Sequence, residues 1–382
     1  FQGIISALRN TIIQETMQII KLNLKQATDA ELTRLIDQAI AVIKNGGLVI
    51  YPTETTYGIG ANPHSTPAID KLLQYKSRRE GKPLSIAVNS QTMAEQYVKI
   101  NQQAQNFYQR FLPGPYTVIS QLKKTSDIDK RVASEFGTLG IRIPDYPLIL
   151  KLIATLGHGI TATSANASNQ KRPYQISDIL DNLSEKQQQL IDLIIDVGRL
   201  PKNEPSVVID TTLSTPLALR GQLHKDTPYT EFHSQSENET QELAMRLILK
   251  NWNRLKKEGL LFALTGELGM GKTIFAKGIG QFLKIKEEIT SPTYSYLNDY
   301  TFQREGCQGT FYHLDAWKID QQQELALLKI DQLLKANQVM VIEWWDKIAK
   351  FLPKSFQQRA IELNLSGQDH WRKIKLWEKN QH

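Results

Sequence analysis

Residues 260–273 read Leu-Leu-Phe-Ala-Leu-Thr-Gly-Glu-Leu-Gly-Met-Gly-Lys-Thr. An apolar run of strand length ends at Thr265. Gly266-Glu267-Leu268-Gly269-Met270-Gly271-Lys272-Thr273 then fills every fixed position of G-x-x-x-x-G-K-[ST], and Ile274 to Leu283 follows with helical character. Strand, glycine loop and helix in that order are the context a phosphate-binding loop needs. Glycines let successive backbone N–H groups turn onto phosphate oxygens, and the helix N-terminus adds partial positive charge. Gly266, Glu267, Gly269, Met270 and Gly271 are therefore expected to cradle the phosphates of a nucleotide. Lys272 is expected on the terminal phosphates, with the Thr273 hydroxyl as a ligand for Mg²⁺.

Working outward, a second acid on the metal side should end another buried strand. Val339-Met340-Val341-Ile342-Glu343 supplies one at Glu343. Thr310 to Asp315 is a further strand, on which His313 and Asp315 alternate to the same side. Asp315 is read as orienting or deprotonating a water, with a helix-start cap as the competing role. Upstream, Ser236-Glu237-Asn238-Glu239 has the spacing of a capping box. The helix behind it carries Leu243, Leu247 and Ile248 and stops at Gly259.

The chain has 382 residues, which favours at least two domains. Hydrophobic residues make up 41% and charged residues 22%, as in a globular chain. Net charge is +7, so an anionic partner fits. Residues 1–221 carry 24 basic against 19 acidic side chains, and residues 222–382 carry 22 against 20. A single cysteine, Cys307, excludes a disulfide framework and a cysteine-based zinc site, and no disulfide-linked partner is expected. A reducing cytoplasm suits that usage. The apolar run 190–197 is broken by Asp192 and Asp196, and nothing approaches membrane-helix length. Phe1-Gln2-Gly3 has the look of a cleaved expression tag, and Met17 of a native start, so residues 1–16 carry little weight.

The block 17–221 alternates short β-type runs with helical stretches and reads as mixed α/β. Strands are expected at 48–51, 84–88, 117–122, 139–143, 207–210 and 217–220, and a helix at 68–75. Residues 222–229 read as a linker, with a first strand of the next domain near 230–233 and that domain running to 382. After the first strand comes Thr53-Glu54-Thr55-Thr56-Tyr57-Gly58, a hydroxyl-rich loop able to face a small polar substrate. Lys76-Ser77-Arg78 follows the helix. On extended backbone Lys76 and Arg78 would point the same way and clamp an anion; a solvated basic loop is the alternative. Ser164 and Asn166 add a short hydroxyl and an amide.

Two resemblances rest on these residues. The C-terminal block resembles TsaE, the small P-loop ATPase of bacterial tRNA threonylcarbamoylation, through GELGMGKT, Ser291-Pro292-Thr293-Tyr294, His313-Leu314-Asp315 and Glu343-Trp344. The likeness implies a mostly parallel P-loop sheet, with Trp344 beside the nucleotide and Thr273 and Glu343 around the metal. Residues 30–221 are similar to the YrdC/TsaC threonylcarbamoyl-AMP synthases. The matching pieces are PTETTYGIG, KSR, PGPYTV, IRIPDYP, TSAN and PSVVID, in that order. That resemblance implies a twisted open α/β sheet around a basic cavity, and formation of threonylcarbamoyl-AMP from L-threonine, bicarbonate and ATP. Lys76, Arg78 and Arg142 would stabilise charge, Thr53 and Thr56 would hold threonine, and Ser164, Asn166, Ser206 and Arg220 the nucleotide. Tyr146, Val207 and the contiguous Arg220-Gly221 depart from the family pattern. The implied partners are TsaD-like and TsaB-like proteins, with tRNA reached through them and no membrane. An RNA-binding module, a different carbamoyl transferase and a P-loop kinase are the rival classes.

Overall fold

The computed structural model describes residues 17–77, 83–167, 170–223, 227–292, 295–368 and 371–378. Arg78 and Thr293-Tyr294 lie outside the described residues. The chain divides into two compact units, Phe1–Thr212 and Leu213–His382.

The strands preceding the phosphate-loop half are β1 (Gln18–Lys21), β2 (Val49–Tyr51), β3 (Gly58–Gly60), β4 (Ser85–Ala87), β5 (Val98–Lys99), β6 (Tyr116–Leu122), β7 (Thr138–Arg142), β8 (Ile160–Thr161), β9 (Thr163–Ser164), β10 (Leu193–Asp196), β11 (Val207–Asp210) and β12 (Leu217–Arg220). One sheet runs β1-β10-β2-β3-β9; the other runs β12-β11-β6-β7-β4-β8, with β5 on β6. Only Ala162 separates β8 from β9, so the chain steps there from one sheet to the other. The interrupted run 190–197 becomes β10, buried from Leu193 to Ile195. Its Asp192 accepts from the Leu48 N–H at 2.7 Å and from Lys71 Nζ at 2.6 Å, which ties β10 to the start of β2. The helix Asp29–Lys44 opens on a true capping box between Thr28 and Glu31 and buries Leu35, Ile36, Ala39, Ile40 and Ile43.

In the second unit β13 (Tyr229–Ser234), β14 (Leu260–Thr265), β15 (Leu297–Arg304), β16 (Cys307–Asp315), β17 (Gln338–Glu343), β18 (Ala360–Gln368) and β19 (Trp371–Trp377) form one sheet, ordered β13-β19-β18-β14-β17-β16-β15. The centre is parallel, with β14 flanked by β17 and β18 and β16 beside β17; the hairpins β15/β16 and β18/β19 complete it. The first five residues of β14 are buried, as a central parallel strand requires. The helix Lys272–Leu283 packs Phe275 against Phe262, with ring centroids 5.6 Å apart. A Cβ at Gly278 would stand 2.6 Å from the Gln241 carbonyl, so glycine lets the helix Glu237–Lys250 lie close. The predicted capping box is half formed. Ser236 accepts from the Glu239 N–H, but the Glu239 carboxylate turns to the Gln235 N–H at 2.8 Å. No helix among the described residues is long and apolar enough to cross a membrane.

Candidate active sites

In the second unit the loop leaves β14 at Gly266, whose φ of 134° and contact with the Leu365 carbonyl exclude a side chain. Gly271 (φ 92°) precedes the helix, so the N-terminal N–H groups of Lys272–Leu283 point into the loop. Lys272 Nζ donates to the carbonyls of Gly266 and Glu267, each at 2.8 Å, and lies 3.9 Å from the Trp344 ring centre. Burial pushes this ammonium below the usual lysine value, opposed by the charges of Glu343, Asp315 and Asp346.

Strand register does the rest. Asp315 and Glu343 are direct partners on the parallel strands β16 and β17, so both carboxylates reach the same sheet edge. Glu343 Oε1 accepts from the Thr273 hydroxyl at 2.8 Å and lies 2.8 Å from His313 Nε2. His313 is fully buried, and its other ring nitrogen faces the Thr290 carbonyl at 3.1 Å. Asp315 is engaged through both carboxylate oxygens. Its Oδ1 takes the Trp317 N–H at 3.0 Å, closing a local turn and not capping a helix, since the next helix begins at Gln322, and its Oδ2 takes the Ser291 hydroxyl at 2.9 Å, joining the 291–292 segment to the sheet edge. Thr273 and Glu343 thus present hard oxygen donors side by side, which fits Mg²⁺. Trp344 adopts a left-handed φ of 60° and packs its ring 4.4 Å from that of Trp317, a neighbour the sequence did not single out.

In the first unit the predicted residues fall into separate contact groups, around Lys76, around Arg142 and at Ser206. Lys76 does not sit on extended backbone: it is the last residue of the helix Thr66–Lys76, stopped by Ser77 at φ 46°. Ser65 caps that helix and Pro67 suits its first turn, so the helix runs one residue past the predicted end and carries the lysine inward. Lys76 is 2% exposed, and its Nζ donates to the Ser164 and Asn166 carbonyls at 2.7 and 2.5 Å. The Asn166 amide donates to the Gln170 carbonyl, while its Oδ1 is buried without a partner. Arg142, ending β7, donates from Nη2 to Glu54 Oε1 at 2.8 Å and to the Thr55 hydroxyl at 2.7 Å. Arg142 Nε and Glu54 Oε2 are both buried and unpartnered.

Thr53 braces its own loop. Its hydroxyl donates to the Thr56 carbonyl at 2.6 Å and accepts from the N–H groups of Thr55 and Thr56. Ser206 lies 3.5 Å from the Thr117 hydroxyl, both buried. Ser164 is exposed; Arg220, also exposed, ends β12 and lies past Thr212, so it belongs to the second unit and not the first. Tyr146 precedes the helix Pro147–Leu156 and gives it no side-chain cap. Sequence reasoning missed Glu54 as a partner; an acid inside a hydroxyl-rich loop, with an arginine ending a later strand, was the available signal.

The expected mostly parallel sheet is in fact mixed, parallel at its centre and antiparallel at β13/β19, β18/β19 and β15/β16; a phosphate loop leaving its central strand defines the second unit as a P-loop protein, and an α/β fold whose chain switches sheets between β8 and β9 defines the first. The family model Sua5/YciO/YrdC, described as telomere recombination, matches residues 41–221, and the model for threonylcarbamoyl adenosine biosynthesis protein TsaE matches 234–374. A putative threonylcarbamoyl-AMP synthase of Methanocaldococcus jannaschii is 36% identical over 202 residues, 53% of this chain and 88% of that protein. The uncharacterized protein YciO of Escherichia coli is 30% identical over 192 residues, 49% of this chain and 88% of that protein. The threonylcarbamoyl-AMP synthase of Bacillus subtilis is 32% identical over 186 residues, 48% of this chain and 52% of that protein. The chain belongs to the Sua5/YciO/YrdC family, and its residues 234–374 match the TsaE model.

Proposed function

We propose that the chain is a bifunctional enzyme of tRNA threonylcarbamoyladenosine synthesis. The first unit makes L-threonylcarbamoyl-AMP. The threonine amine adds to bicarbonate with loss of water, the resulting carbamate oxygen attacks the α-phosphorus of ATP, and pyrophosphate leaves. The observation that carries this reading is the Lys76 ammonium bound to the Ser164 and Asn166 carbonyls, which joins the two signature segments in one place. Carbamate, carboxylate and triphosphate repel one another, so fixed cations must offset them; Lys76, Arg78 and Arg142 fill that role. Thr53 shapes the loop that presents Thr56 to threonine. The open Glu54 Oε2 and Arg142 Nε suit an ammonium and a carboxylate. Ser164, Asn166 and Ser206 serve the nucleotide.

The second unit hydrolyses ATP. Residues 266–273 hold the phosphates by backbone N–H groups and Lys272, and Trp344 borders the site. Thr273 and Glu343 would hold Mg²⁺, which when bound neutralises phosphate charge. His313 fixes the Glu343 carboxylate, and Asp315 orients water. This unit acts with TsaD-like and TsaB-like partners that deliver the threonylcarbamoyl group to tRNA in the cytoplasm. Incubation with ATP, bicarbonate and single amino acids tests the proposal: threonine-dependent pyrophosphate and adenylate are expected, and their absence from folded protein removes the synthase reading. Lys272→Ala should abolish phosphate release and leave adenylate formation intact.

A further inference from the structure

Five cationic side chains are buried among the described residues: Lys76, Arg246, Lys272, Arg304 and Arg372. Lys76, Lys272 and Arg304 donate to backbone carbonyls, and Arg246 makes an interaction of its own. Arg372, at the start of β19, stands apart from these. It is 8% exposed, its Nε and Nη1 are buried without hydrogen-bond partners, and it has no ion pair among the described residues. Its place in the fold explains where that charge is aimed. The β18/β19 hairpin pairs Gly367 with Arg372 beside the end of β14, and the guanidinium lies against the phosphate loop. A Cβ on Gly271 would stand 2.7 Å from Arg372 Nε and 3.6 Å from Cζ. Gly271 is the residue from which the twelve-residue helix Lys272–Leu283 starts.

Arg372, Lys272 and the positive end of that helix therefore converge on one spot. An unpaired buried cation beside two further positive sources costs free energy unless an anion joins them. We infer that Arg372 is a nucleotide-binding residue of the second unit, its guanidinium taking a phosphate oxygen of the nucleotide held by residues 266–273. The planar, multiply donating guanidinium suits a phosphate oxygen approached from the flank of the loop. This inference rests on residues 266–273 being a nucleotide site.

The full chain provides a selective readout, because all six tryptophans lie at or beyond Trp252, in the second unit. ADP is titrated against wild type, Arg372→Met, Arg372→Lys and Lys272→Ala, and tryptophan emission is followed. Arg372→Met should weaken ADP binding about 10–100-fold, the loss of one or two charge-assisted hydrogen bonds. Its melting temperature without nucleotide should stay level or rise, since an uncompensated buried charge is gone. Arg372→Lys should bind with intermediate affinity and cover the case in which the methionine variant misfolds. Unchanged ADP affinity in folded Arg372→Met or Arg372→Lys, with Lys272→Ala failing to bind, overturns the inference and leaves the nucleotide site intact. Weakened binding accompanied by an equal loss of stability without nucleotide also overturns it, because the arginine is then structural. If wild type shows no ADP response sensitive to Lys272→Ala, the nucleotide reading itself fails and the inference falls with it.

Discussion

Replacing Lys76 by methionine tests whether the buried lysine holds the Ser164 and Asn166 segment in place. The side chain keeps its length and loses its charge. The Ser164 and Asn166 carbonyls lose their donor at 2.7 and 2.5 Å. A buried acceptor left without a partner costs about 1–3 kcal/mol. Ser164 is exposed, so water can reach its carbonyl and the combined loss falls near the lower half, about 2–4 kcal/mol. At about 2–4 °C per kcal/mol for a unit of this size, the first unit should melt about 5–15 °C lower. Differential scanning calorimetry of the full chain resolves the effect when two transitions are present. The second-unit transition is assigned by tryptophan emission, because no tryptophan lies before Trp252. Threonylcarbamoyl-AMP formation should be lost in the same variant at temperatures where it remains folded. A first-unit transition within about 1 °C of wild type would refute the reasoning, since a substitution at an unimportant surface position does no more than that.

Two further outcomes are expected. The hydrogen bonds from Arg131 hold the Asp129 carboxyl down from 3.8 to about 2, so its folded value lies below its unfolded one. The stability it contributes is present above about pH 4 and disappears as pH falls through about 2. Asp129→Asn should flatten the acid limb of first-unit stability in that window, measured by circular dichroism against pH. Glu343→Gln should reduce phosphate release by about 10²-fold or more while tryptophan-monitored ATP binding changes little, because the carboxylate acts on the metal side and on His313 rather than on the phosphate cradle.

The second unit was readable because its chemistry is local. Eight contiguous residues define the loop, and Glu343 and Asp315 announce themselves as acids ending apolar runs, which is where a parallel sheet gathers functional groups. The first unit was less readable for two physical reasons. Its strands are short: β3 is three residues, Gly58–Gly60, and its glycines are required because Tyr51 packs across them, a Cβ at Gly58 meeting the ring at 3.0 Å. Such a segment has no periodicity to detect. Its polar pairs are also remote in sequence, with a separation of 88 positions for both Arg142–Glu54 and Lys76–Ser164. Spacing rules place a side chain on one element; they do not say which distant carbonyl or carboxylate will meet it. The extended-clamp expectation for Lys76 failed for a related reason, since helix propagation from the Ser65 cap outran the predicted end by one residue and changed which way the lysine points.

The net charge of the chain can now be assigned a structural meaning. A surplus of basic residues in residues 1–221 suggested a cationic cavity, yet Arg142 is matched by Glu54, and Lys76 spends its protons on backbone oxygens. These residues are therefore oriented donors and acceptors, with Arg142 Nε and Glu54 Oε2 still open, rather than a region of uniform positive potential. Groups fixed in this way are held before any ligand arrives and need little reorganisation, which is what a site must provide to stabilise developing charge. The nearly balanced second unit reaches the same end by another route. Backbone N–H groups at a helix start contribute positive potential, Lys272 is parked on two carbonyls, and Arg372, a buried cation without a hydrogen-bond partner among the described residues, stands at the glycine from which that helix begins. Counting formal charges misses both arrangements, because a backbone dipole carries no formal charge and a paired arginine no longer carries a free one.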